Sequence, residues 1–98
     1  MGDLVKQKNN HLTYEMGEVA QQEIQNAVNY VAGILEREFG FTAGMPSGGT
    51  DGYYLEVYKN DTFLAVGWDT WTGIFVSAES DEGDAVLKAL FNQCEGES

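Results

Sequence analysis

The sequence predicts an α+β fold in two layers, of order α-β-β-β-α, in which a three-stranded antiparallel meander packs against two helices. Three observations carry this. Apolar residues recur at three- and four-residue spacing over residues 17–40, and again over residues 80–94. Between them, residues 53–78 hold three short runs rich in aromatic and β-branched side chains, separated by turn-forming clusters. With 98 residues, 43% of them hydrophobic, the chain is expected to form a single domain over 1–98 around one core.

Residues 1–12, with Lys6, Lys8, Asn9 and Asn10 and little apolar periodicity, are expected to be a flexible tail, followed by a short extended segment from Leu12 to Met16. In the first helix Ala20, Ile24, Ala27, Val28, Val31, Ile34 and Leu35 share one face, and Gly40 supplies the left-handed residue that ends it. Residues 42–52 contain four glycines and the only proline, Pro46, so a Gly-rich loop is expected there.

The strands are read as Tyr53 to Lys59, Thr62 to Trp68 and Gly73 to Ala78. A two-residue turn at Asn60 and Asp61 sets Tyr58 against Phe63, Val57 against Leu64 and Leu55 against Val66. Alternation then sends Leu55, Val57, Leu64, Val66, Trp68, Ile74 and Val76 toward the helices, and Tyr54, Tyr58, Phe63, Ala65 and Phe75 to the other side. Ser80 is a good cap for the second helix, which carries Asp81, Glu82 and Asp84 in its first turn and Val86, Leu87, Leu90, Phe91 and Cys94 along one stripe.

Sixteen Asp and Glu against five Lys and Arg give a net charge of −11, which repels phosphate backbones and anionic lipid head groups. Direct nucleic-acid or membrane binding is therefore not expected, whereas a basic protein partner is favoured. A single cysteine permits no intrachain disulfide. The polar first ten residues lack the apolar core of a signal peptide, and no apolar run reaches membrane-spanning length, so the expected location is cytoplasmic.

No cofactor and no metal site is expected. The acids at Glu79, Asp81, Glu82 and Asp84 lack the alternating ligands, sixth-position glycine and twelfth-position glutamate of a calcium loop, and they suit a helix start. The stretch from Ala43 to Gly52 lacks the lysine and the following helix of a phosphate cradle. His11, the only histidine, lies in the expected tail without partners, and Cys94 is read as a buried structural thiol, so no catalytic residue is assigned and the chain is expected not to be an enzyme. The outward positions Gln22, Gln25, Asn26, Asn29 and Gly33 give the first helix an uncharged exposed face, a second surface that is cheap to desolvate.

The outer side of the sheet is the more pointed signal, because a solvent-facing sheet surface is normally polar and contiguous apolar patches mark interfaces. The candidate partner-binding residues are Tyr54, Tyr58, Phe63, Phe75, Trp71 and Asp69. Coverage by the segment around Leu12 and Tyr14, by the second helix or by a second copy would each hide this face, and a homodimer is the expectation. In architecture alone, the order of elements and the acidic surface are similar to small immunity proteins, phage-encoded inhibitors and acidic secretion chaperones. The functional expectation is a non-enzymatic acidic interaction protein, such as an inhibitor or immunity-type binder of a basic protein. The alternatives are a small-ligand or regulatory module built on the Trp71 turn and the Gly-rich loop, and an acidic dimeric chaperone-like protein.

Overall fold

The computed structural model describes residues 2–48 and 52–95. Strands β1 (Asp3–Lys6) and β2 (Leu12–Gly17) precede a 3-10 turn (Gln21–Glu23) and helix α1 (Ile24–Phe39). Short strands β3 (Thr42–Ala43) and β4 (Ser47–Gly48) lead to β5 (Gly52–Lys59), β6 (Thr62–Asp69), β7 (Gly73–Ala78) and helix α2 (Asp81–Glu95). All strands join one antiparallel sheet of seven in the order β1-β2-β7-β6-β5-β3, with β4 also on β5. Helix α1 packs on β5 and β6, and α2 packs on β7 and β2, so the α+β arrangement of helices on a sheet stands.

The central meander follows the expected register, with Tyr58 opposite Phe63, Val57 opposite Leu64 and Leu55 opposite Val66. Asn60 takes φ 55°, the left-handed geometry that a tight two-residue turn needs and asparagine tolerates. Leu55, Val57, Leu64, Val66, Ile74 and Val76 are all buried, together with Val28, Leu35, Leu87 and Leu90 from the helices. Trp68 also lies on this side, half-buried, and its indole N–H is buried without an acceptor among the described residues. Gly40 ends α1 at φ 77°, its N–H bonding the Leu35 carbonyl, and Ser80 Oγ accepts the Gly83 N–H at the start of α2.

The sheet is larger than the meander because both flanks of it are strands. The expected tail instead holds β1, which forms a hairpin, turned at Asn10 with φ 70°, with β2, the segment expected to be extended; β2 pairs with the otherwise open edge of β7. Its inward residue Tyr14 is 1% exposed and stacks edge-on against Phe91 of α2 at 5.4 Å. On the other flank, two pieces of the expected Gly-rich loop pair with β5, Thr42 opposite Tyr58 and Ser47 opposite Tyr54, while residues 49–51 lie outside the described residues. The satisfaction of exposed β5 backbone groups outweighs the poor strand propensity of this glycine-containing segment.

The first helix also starts later than residue 17. Gly17 completes β2, and Ala20 is extended at ψ 147°, so regular α-helix begins only at Ile24. Gly33, expected to be exposed, is buried because the Arg37 side chain folds over it, its Nη1 lying 2.9 Å from where a Cβ would stand.

His11 is not isolated: its Nδ1 meets Asp84 Oδ2 at 2.9 Å, while the Leu12 N–H donates to Asp84 Oδ1 at 2.8 Å. Partial desolvation pushes the Asp84 carboxyl upward, but the bonds from His11 and Leu12 and the charges of His11 and Lys88 outweigh it and hold the group below its ordinary value of 3.8. A depressed carboxyl contributes stability that is present above the unfolded value and lost as pH falls through the folded one. Acidification below about pH 4 is therefore expected to destabilise the wild type more than Asp84→Asn, as read from urea midpoints across pH.

Candidate partner-binding face

Both helices lie on one side of the sheet, and among the described residues no element covers the other. Cross-strand register sets Glu15, Phe75, Gly67 and Tyr54 side by side on that open surface, and Thr13, Ser77, Ala65 and Glu56 in the next row. Tyr58 and Phe63 pair at its far end with ring centroids 6.4 Å apart, and Tyr54 and Phe75 pair across Gly67 at 6.1 Å. Glycine is required between them: a Cβ at position 67 would stand 2.6 Å from Tyr54 Cδ1 and 3.1 Å from Phe75 Cζ. The two rings shield this stretch of backbone in place of the missing side chain. Tyr54, Tyr58 and Phe63 nonetheless remain 41%, 42% and 42% exposed.

The charges on this face are of one sign. Asp3, Glu15, Glu56 and Asp69 alternate onto it, whereas the five Lys and Arg are all engaged or placed elsewhere. Lys6 alternates to the helix side of β1, Lys8 sits in the hairpin turn, Arg37 covers Gly33, Lys59 Nζ donates to the Phe39 carbonyl, and Lys88 lies in α2. Aromatic faces beside uncompensated carboxylates attract cations twice, through the ring quadrupole and through charge.

Of the six sequence candidates, Tyr54, Tyr58, Phe63 and Phe75 form this surface together. Asp69 joins them at its border, where Oδ1 accepts the N–H groups of Trp71 at 3.0 Å and Thr72 at 2.6 Å and so shapes the β6–β7 turn. Trp71 stands apart at the apex, 91% exposed. A shallow groove of about 330 Å³ opens between Glu15, Asp69 and Phe75, with Val5, Thr13 and Thr72 on its walls. Glu15, Thr13 and Val5 are among the members that sequence reasoning missed: Val5 lies in the part read as a tail, and Thr13 and Glu15 lie in the segment read as extended but given no place in the sheet. The signal that would have found them is the period-two alternation of Leu12, Tyr14 and Met16.

A second groove, of about 250 Å³, lies on the opposite side between the helices, floored by Tyr14 and Ile74 and walled by Val31 and Ile34, with Tyr30 and Cys94 at its rim. Burial raises the Tyr14 hydroxyl well above the ordinary tyrosine range, and its 2.7 Å hydrogen bond to Glu95 Oε2 adds to the effect. Cys94 is exposed rather than buried, since its place near the end of α2 puts it at the groove rim and not over the sheet. Partial desolvation still pushes its thiol upward, the Glu95 charge adding to this and a bond from Tyr14 opposing it. Neither groove is lined by Trp71 or by residues 42–48.

His11, Asp81 and Asp84 place potential ligand atoms within 4.8 Å of one another. Asp84 meets His11 through Oδ2 and accepts the Leu12 N–H at Oδ1, so His11 and Asp84 clamp the hairpin to α2. No helix among the described residues is long and apolar enough to cross a membrane. The chain matches no protein family, no curated protein and no solved structure.

Proposed function

We propose that this chain is a non-enzymatic acidic interaction protein, an inhibitor or immunity-type binder that engages a basic protein through the outer face of its sheet. The observation that carries this reading is the composition of that face: two aromatic pairs, with Tyr54, Tyr58 and Phe63 exposed and Phe75 half-buried, among Asp3, Glu15, Glu56 and Asp69, with no lysine or arginine. Aromatic rings supply the desolvated anchors of an interface, and the carboxylates select a cationic partner and steer its approach. In a chain of net charge −11, a basic partner also relieves self-repulsion on binding.

The same charges argue against the second copy expected from hydrophobicity alone. A two-fold packing of this face on itself gathers two sets of Glu15, Glu56 and Asp69 in one interface with no lysine or arginine between them, and like-charge juxtaposition costs several kcal/mol. Photo-cross-linking from Phe63 in the native host tests the proposal: adducts with a basic protein support it, and adducts with a second copy of this chain replace it with a homodimer.

A further inference from the structure

Resting on the reading of the open sheet face as the docking surface for a basic partner, we propose that the groove between Glu15, Phe75 and Asp69 is a pocket for one arginine side chain of that partner. Its volume of about 330 Å³ leaves room for a guanidinium and its aliphatic stem. Glu15 and Asp69 enter it from β2 and from the end of β6, and Phe75, directly opposite Glu15 in the register, lies between these two strands on β7.

Neither carboxylate meets a cation of its own chain; among the described residues the only ion pair is that of His11 with Asp84. Asp69 uses Oδ1 to receive the Trp71 and Thr72 N–H groups, which fixes the carboxylate and leaves Oδ2 for a ligand. Thr13 Oγ1 and Ser77 Oγ share one hydrogen bond at 3.1 Å on the wall, with lone pairs to spare for a further donor.

This arrangement suits arginine better than lysine. A guanidinium is planar, stacks on an aromatic ring and carries donors on several edges, so one group can address two separated carboxylates while lying on Phe75. An ammonium is a compact, strongly hydrated point that serves one carboxylate and gives up more hydration to enter. Val5 offers an apolar wall for the stem.

The test is calorimetric titration of the full chain with an oligoarginine peptide and an oligolysine peptide of equal length. Oligoarginine is expected to bind about tenfold more tightly, the gain of an added charge-assisted hydrogen-bonding contact. Glu15→Gln with Asp69→Asn is expected to abolish that preference, and asparagine keeps the acceptor that the β6–β7 turn needs. Equal affinities in the wild type, or an arginine preference that survives in the double variant, overturn the pocket. Should the double variant fail to fold, Glu15→Gln alone carries the same expectation.

Glu56→Lys with Tyr58→Ser, outside the groove, separates the two readings. It is expected to weaken both peptides alike. If it leaves both unchanged while the groove variant weakens oligoarginine, the wider docking face fails and the pocket stands. Binding of neither peptide to the wild type overturns the pocket and the face together.

Discussion

Tyr14→Ala is expected to cost about 3–5 kcal/mol, the range for removing a large aromatic from a packed core. The ring is 1% exposed, lies edge-on against Phe91, and touches the β1 side so closely that a Cβ on Gly2 would stand 2.5 Å from its Cε1. Domains of this kind hold about 5–15 kcal/mol in total, so the variant is expected to be largely unfolded at moderate urea. Tyr14→Phe keeps the ring and gives up the hydroxyl's bonds to Glu95 and Cys94. It should therefore cost about 1–3 kcal/mol, as for a hydrogen bond to a charged group. A loss under about 0.5 kcal/mol for Tyr14→Ala, the size of an ordinary surface change, would mean that the hairpin is dispensable to the core.

Gly73→Ala is expected to be nearly as damaging, for a backbone reason. Gly73 sits at φ 81°, and its added methyl would run into the carbonyl oxygen of Gly17 and lie 2.6 Å from the Gly17 carbonyl carbon. Those are backbone atoms at the bulge where Gly17 faces both Gly73 and Ile74, so neither strand can rotate aside without breaking the β2–β7 pairing. Left-handed strain of about 1–2 kcal/mol adds to the loss of that junction, for a total of about 2–4 kcal/mol. Gly40→Ala provides the comparison. Its φ is 77°, but the nearest atom to a new Cβ is the flexible end of Lys59 at 3.5 Å, so only the strain of about 1–2 kcal/mol applies. Equal costs at the two glycines would show that the Gly17 contact does not matter.

These two positions also show where the sequence was legible. The meander could be read down to its register because alternation on two adjacent runs and the Asn60–Asp61 turn agree, and local signals that agree leave one solution. Helix α2 and the end of α1 carry their own caps in Ser80 and Gly40. The hairpin was not legible as a whole because β1 has only Leu4 directed inward onto the core and β2 gains its stability from pairing with β7, some sixty residues later. The contact between His11 and Asp84, 73 residues apart, is invisible for the same reason.

The candidate face shows the same division. Its aromatics followed from alternation within the meander, so Tyr54, Tyr58, Phe63 and Phe75 were found together. Its acidic groove needed Glu15, which reaches the surface only once β2 is docked beside β7. Charge composition pointed to a cationic partner, but only the three-dimensional placement separates the uncompensated carboxylates from lysines and arginine that are used elsewhere.

The central claim, that the open face of the sheet holds a basic protein, is tested most directly by the photo-cross-linking phenylalanine analogue at position 63, with the same group at Gln25 on α1 as the control surface. Phe63 is 42% exposed at one end of the claimed contact, and Gln25 is exposed on the opposite side of the molecule. Adducts from position 63 that contain a basic protein, are absent from position 25 and fade as salt is raised are the predicted result. Adducts from position 25 alone, or a position 63 adduct consisting of a second copy of this chain, would contradict it.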